Sequence, residues 1–210
     1  MVGFYNVSVI LTYCGLLSSV AGIFLATGGH TTFAVICLMF SGICDIFDGK
    51  VARAISRTED EKRFGIQIDS LSDLVCFGVF PAVLCRALGV TSIVGSAVLA
   101  LYVLAALIRL AYYNVMEEHR QQETTETRKF FSGLPVTTIS FVFPVVYALR
   151  RLYPQALPWV LTGLMLVLLI LFIINFKVIK PDGTLAKILI GLFLLLFIFF
   201  IVLEVRRHSL

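Results

Sequence analysis

Residues 45 to 73 read DIFDGKVARAISRTEDEKRFGIQIDSLSD. Asp45 and Asp48 stand three apart, Asp69 and Asp73 four apart. On an α-helix either spacing puts both carboxylates on one face. Positions 45, 48, 49 and 52 continue as a single stripe of Asp, Asp, Gly and Ala, and positions 65, 69 and 73 form another of Gly, Asp and Asp. Two antiparallel helices joined by the charged stretch between them would aim these pairs at one another. Gly49 costs about 1 kcal/mol against Ala inside a helix, so its use there favours close approach of a ligand or another backbone. Arg53 adds a planar five-donor fork suited to phosphate. Asp60, in the charged stretch, reads as a solvated carboxylate.

The surroundings of this stretch are lipid-soluble. The chain has 210 residues, of which 59% are apolar and 14% charged, with a mean hydropathy of +0.97. Soluble domains carry charge at about a quarter of their positions. Apolar runs of membrane-spanning length predict seven helices, at 6–27, 32–54, 65–88, 91–115, 133–150, 157–176 and 184–204. The expected fold is therefore an all-α polytopic membrane bundle, a single integral membrane domain over 1–210. The first run is too long for a cleaved signal peptide and lacks its basic start. Thr184 to Leu203 carries a single ionisable residue, Lys187, and reads as an anchoring or packing helix without chemistry.

Lys and Arg set the orientation. The stretches 50–64, 116–132 and 177–187 fall on one side with eleven cations, against five on the other side. That predicts a cytoplasmic N-terminus and a site at the cytoplasmic face of the cell membrane. The net charge of +4 fits this bias and attraction to anionic headgroups, not nucleic-acid binding. The five cysteines all fall in apolar segments without a CxxC pair and read as small buried hydrophobes. The three histidines make no metal spacing.

A carboxylate at membrane depth costs at least about 2.5 kcal/mol, so four of them need neutralising. An all-oxygen donor set without His or Cys selects a hard cation, Mg²⁺ or Mn²⁺, over Zn²⁺. Four carboxylates exceed what one ion takes from protein when phosphate oxygens also bind, which favours two ions about 3.5–4 Å apart. Two other readings stay open. The acids pair with Lys50, Arg53, Lys62 or Arg63 at the interface, or they line a cation pathway, for which a midplane site with broken helices is expected.

The pattern Asp45-x-x-Asp48-Gly49-x-x-Ala52-Arg53, then Gly65-x-x-x-Asp69-x-x-x-Asp73, resembles the signature of the CDP-alcohol phosphotransferases, integral membrane enzymes of phospholipid synthesis. Eight specified positions in order carry the match. The resemblance implies a six-helix core, with the catalytic helices and loop at 32–88 and an accessory C-terminal helix at 184–204. It also implies a homodimer. Asp45, Asp48, Asp69 and Asp73 would be associated with a divalent metal pair, with Asp73 also the general base. Asp45, Gly49, Ala52, Arg53 and Gly65 would line the CDP site. One departure stands out: residues 54–64 make eleven between the Arg and the second Gly, where the family usually has about eight, and the charged segment 57–63 is the expected place for the excess.

Three further stretches resemble the phosphatidylserine synthases of that family: residues 64–73 with Phe77-Gly78-Val79-Phe80-Pro81-Ala82, then Arg109-Leu110-Ala111-Tyr112-Tyr113-Asn114, then Phe131-Ser132-Gly133-Leu134-Pro135. They imply CDP-diacylglycerol and L-serine as substrates. Glycerol 3-phosphate or inositol phosphate stays open as the acceptor. Arg109, inside a membrane segment, reads as a clamp for the serine carboxylate or lipid phosphate, or as an ion-pair partner of a site Asp. Asn114 and Lys129 are weaker candidates for the same pocket, against snorkelling or a solvated loop. The Gly133-Leu134-Pro135 turn offers N–H groups to an anion, or simply begins a helix.

Overall fold

The computed structural model describes residues 3, 7–123, 130–179 and 183–208. Helix α1 spans Val7–Thr27 and α2 spans Thr31–Ala54. Helix α3, Glu59–Asp73, runs without interruption through a π-helical segment, Leu74–Val79, into α4, Phe80–Ala87. Then come α5 (Ile93–Glu123), α6 (Ile139–Ala148), α7 (Leu157–Ile173) and α8 (Gly183–His208). With α3 and α4 counted as one rod, the seven expected helices are present among the described residues. Four are long and apolar enough to cross a bilayer: Val9–Thr27, Thr31–Ala52, Glu59–Ala87 and Ile93–His119. Three shorter apolar helices cover Val136–Ala148, Leu157–Ile173 and Ile190–Val202. The chain is an integral membrane protein of all-α class.

The core is aromatic and aliphatic, built where α2, α4, α5, α6 and α7 meet. Leu38, Phe80, Leu84, Tyr102, Phe143, Tyr147, Leu161 and Met165 are fully buried. Large apolar side chains also cover the outside, among them Leu17, Phe24, Ile93, Leu101, Val167 and Leu195. In water such a surface would aggregate; against acyl chains it is the solvent-facing side.

Helix α1 lies along α2 through a stripe of small and hydroxyl residues, Thr12, Gly15, Ser19, Gly22 and Ala26, all buried. Ser19 and Ser41 share a hydrogen bond of 2.8 Å, and Ser41 also donates to the Gly15 carbonyl at 2.8 Å. A Cβ on Gly15 would meet the Cβ of Cys44 at 3.3 Å, which measures how near the two backbones run. Small residues bring membrane helices together because dispersion and hydrogen bonds, rather than hydrophobicity, drive their association. Gly42 does the same for α2 and α6: a Cβ there would lie 2.7 Å from Ser140 Cβ.

The structure differs from the sequence reading at several places, among them Cys14, which is exposed, and the start of α6, at Ile139 and not at 133. Helix α3 starts at Glu59, six residues before the expected 65, because Thr58 and Glu61 form a capping box. The charged excess between Arg53 and Gly65 is therefore mostly added helix, and only residues 55–58 remain as connection. Helix α5 runs on to Glu123, eight residues past the expected end at 115. A two-stranded antiparallel ladder also joins β1 (Phe130–Ser132) to β2 (Lys177–Ile179), pairing Phe131 with Val178.

Candidate functional site

The buried stripe of α2 passes through Ala34, Val35, Leu38, Met39, Ser41 and Cys44 and ends on Asp48, which is 7% exposed. Asp45 lies one turn before it. From α3, Asp69 and Asp73 occupy the last two turns before the helix widens. Ligand oxygens of Asp45, Asp48 and Asp69 all lie within 4.8 Å of one another. The carboxyl groups of Asp48 and Asp69 are neighbours within that group, and the carboxyl of Asp73 lies close to that of Asp45. Asp73 thus joins the cluster through Asp45 and stands outside the group of three.

Like charges this near repel strongly at the low dielectric of a bundle interior. A cation or shared protons must relieve them. The donors are all hard oxygens, they come from two helices, and they converge on one point, so the residues present fit a divalent cation.

A residue that sequence reading missed completes the cluster. Thr12 of α1 donates its hydroxyl to Asp48 Oδ2 at 3.1 Å, and Ser72 of α3 donates to the Thr12 carbonyl at 3.4 Å. Both Thr12 and Ser72 are buried. The signal was the α1 stripe itself: Thr12, Gly15, Ser19 and Gly22 follow i, i+3, i+7, i+10 through an otherwise apolar run. That spacing marks the face turned toward α2.

Gly49 and Ala52 continue the α2 stripe beyond Asp48 and are half-buried. Arg53 follows on the α2 backbone; its side chain lies outside the described part of the structure. Gly65 faces Arg57, and a Cβ there would lie 3.2 Å from the Arg57 guanidinium. Arg57 is therefore a second basic group beside the predicted nucleotide-facing glycine, and it belongs to the short α2–α3 connection.

The three acceptor-site candidates separate. Arg109 of α5 is buried at 8% exposure and reaches Gly133, whose missing Cβ makes room: a Cβ would lie 2.6 Å from Arg109 Nη1. Gly133 has φ of +75°, a conformation that suits glycine. Its N–H is given to the Phe176 carbonyl, so it is not the anion-binding donor that the turn sequence allows. Asn114 accepts a hydrogen bond from Ser70 at 2.9 Å. Ser70 and Asn114 line a groove of about 580 Å³ between α3 and α5, which neither Arg109 nor any of the four aspartates borders. Lys129 lies outside the described residues.

Comparison with known proteins agrees with this geometry. The family profile described as CDP-alcohol phosphatidyltransferase matches residues 5–208. A Saccharomyces cerevisiae protein named CDP-diacylglycerol–serine O-phosphatidyltransferase is 38% identical over 113 residues, 52% of this chain and 40% of that protein. A Helicobacter pylori protein of the same name is 28% identical over 202 residues, covering 94% of this chain and 81% of its own length. An archaetidylserine synthase from Methanothermobacter thermautotrophicus is 32% identical over 139 residues, 66% of this chain and 56% of that protein. The matched region is thus less than half of the yeast relative and most of the Helicobacter one. Paired aspartates on α2 and α3, in a membrane bundle matched over nearly its whole length, make this chain a member of the CDP-alcohol phosphatidyltransferase family.

Proposed function

We propose that this protein transfers the phosphatidyl group of CDP-diacylglycerol to the hydroxyl of L-serine, releasing CMP. The observation that carries the reading is the convergence of three carboxylates from two helices within 4.8 Å, in a chain of this family. Serine as acceptor is supported by the names of the relatives. The yeast and Helicobacter proteins are named for phosphatidyl transfer to serine and the archaeal one for archaetidylserine, so they differ in the lipid and agree in the serine.

Asp45, Asp48 and Asp69 would hold the divalent cation, Mg²⁺ or Mn²⁺, with Asp73 beside them. Bound there, the cation would neutralise the diphosphate and stabilise charge developing on departing CMP. Arg53, near the cytoplasmic end of α2, and Arg57, in the connection that follows it, take the phosphates and nucleotide, with Gly49 and Ala52 leaving space on α2. Asp73 accepts the proton of the serine hydroxyl. The serine oxygen forms a bond to the phosphatidyl phosphorus as the bond to the CMP oxygen breaks, and CMP leaves with that electron pair. No enzyme nucleophile intervenes. Acyl chains remain in the bilayer against the apolar outer faces of the bundle. The whole chain acts as one catalytic domain, its site on the cytoplasmic side by the positive-inside bias, and it works as a homodimer.

Incubating purified protein with CDP-diacylglycerol, Mn²⁺, carbon-13-labelled L-serine and unlabelled glycerol 3-phosphate tests the reading. Label recovered in phosphatidylserine is expected. Label that stays in free serine while glycerol 3-phosphate is consumed would reassign the acceptor.

A further inference from the structure

Just beyond Asp73 the helix changes form. Over Leu74–Val79 it widens to a π-helix, and the Phe80 N–H bonds the Val75 carbonyl, five residues back instead of four. The cause lies in the sequence Phe77-Gly78-Val79-Phe80-Pro81-Ala82. Pro81 has no N–H to return to the Phe77 carbonyl four residues earlier, and its ring would collide with that carbonyl in a regular α-helix. Widening relieves the collision, and with no N–H at position 81 the Phe77 oxygen loses its regular helical donor.

Tyr102 of α5 supplies one. Its hydroxyl donates to the Phe77 carbonyl at 2.6 Å, and the side chain is fully buried. Gly78 lies opposite Ala106, 3.4 Å from Ala106 Cβ as measured from a Cβ built on the glycine, and Ala106 lies one turn from Tyr102 on the same face of α5. Phe172 packs against the Tyr102 ring at a centroid distance of 5.5 Å.

The widened turn governs where the aspartates point. It inserts one residue between Asp73 and α4, and one residue of helix is about 100° of rotation. Helix α4 is anchored: Phe80, Leu84 and Cys85 are fully buried, and Phe80 presses on Gly22 of α1 where no Cβ would fit. With α4 fixed, closing the wide turn to a regular one would swing Asp73 and Asp69 away from Asp45 and Asp48.

We propose that Tyr102 is a positioning residue for the aspartate site. Pro81 excludes the regular turn, and by holding the Phe77 carbonyl Tyr102 decides that the helix widens there instead of kinking, which keeps Asp69 and Asp73 facing α2. The proposal rests on the phosphatidyl-transfer reading for its kinetic readout only. Tyr102 touches neither substrate nor cation.

The test compares the parent protein, Tyr102→Phe and the double variant Pro81→Ala/Tyr102→Phe. Each is measured for turnover, KM for CDP-diacylglycerol, thermal stability in detergent and Mn²⁺ affinity by the EPR signal of free Mn²⁺. In Y102F, turnover falls about 10- to 100-fold with KM unchanged, the size expected for a misplaced reacting group, and Mn²⁺ binds more weakly. In the double variant the backbone N–H gained at position 81 serves the Phe77 carbonyl, so stability returns. The turn is then free to close, so turnover and Mn²⁺ affinity stay low. Y102F with parental turnover and Mn²⁺ affinity overturns the proposal. So does a double variant that regains stability, turnover and Mn²⁺ affinity together, since Tyr102 would then only satisfy a carbonyl. If the parent itself releases no CMP, the transfer reading fails, and the Mn²⁺ titrations alone decide the role of Tyr102.

Discussion

Thr12 of α1 gives its hydroxyl proton to Asp48 Oδ2 of α2 across 3.1 Å, in a buried setting. The bond reaches from the first helix of the chain into the carboxylate cluster. It fixes one oxygen of Asp48, which has a ligand oxygen within 4.8 Å of one of Asp69. Side chains that orient a metal-binding carboxylate typically change metal affinity about 10- to 100-fold when removed. Thr12→Val, which keeps shape and loses the donor, is therefore expected to raise the Mn²⁺ concentration for half-maximal CMP release about tenfold. An unchanged Mn²⁺ dependence would make the bond incidental.

The roles assigned to the aspartates separate kinetically. Asp73→Asn removes the proton acceptor and leaves the group of three intact, so turnover should fall about 10²- to 10⁴-fold while Mn²⁺ is still bound. Asp48→Asn should lose both. Mn²⁺ titration of the two proteins by EPR distinguishes these outcomes. An Asp73→Asn protein with full turnover would remove the base assignment.

Gly42 holds α2 against α6 at a spacing that leaves no room for a methyl group beside Ser140. Gly42→Ala is expected to destabilise the bundle by about 1–3 kcal/mol, the usual cost of overpacking. The midpoint of thermal unfolding in detergent should fall accordingly. A variant as stable as the parent would mean that the two helices part at little cost.

The capping box at the start of α3 sits next to the site because Arg57 directly precedes Thr58. Thr58 accepts from the Glu61 N–H at 3.2 Å, and Glu61 accepts from the Thr58 N–H at 2.8 Å. Thr58→Ala should cost about 1 kcal/mol, and Thr58→Ser almost nothing. Faster hydrogen exchange over Glu59–Arg63 in the Ala variant, with the rest of α3 unaltered, is the expected signature.

Some of this was plain in the sequence and some was not, for physical reasons. The aspartate pairs were legible because helical period alone puts 45 with 48 and 69 with 73, and a membrane gives four carboxylates few other uses. The start of α3 was missed although Thr58-x-x-Glu61 is a capping signature: five charged residues in a row look like loop until the cap is weighed. Thr12 was missed because one hydroxyl in an apolar run is common, and only its partner helix gives it meaning. Pro81 marks an irregular turn, yet whether the helix kinks or widens there depends on Tyr102, twenty-odd positions on in another helix. The pairing of β1 with β2, and of Gly133 with Phe176, joins segments far apart in the chain through backbone atoms that carry no sequence signal.

The central claim is that the carboxylates of α2 and α3 form a cation-dependent site for phosphatidyl transfer to serine. Its most direct test is CMP release from CDP-diacylglycerol by purified protein in detergent with Mn²⁺, with and without L-serine, and with EDTA. The same assay is run on Asp69→Asn. Release that requires serine, is abolished by EDTA and is lost in Asp69→Asn is the predicted result. Release that survives EDTA or the Asp69 substitution would contradict the assigned site, and no release with serine or any other alcohol would contradict the reaction itself.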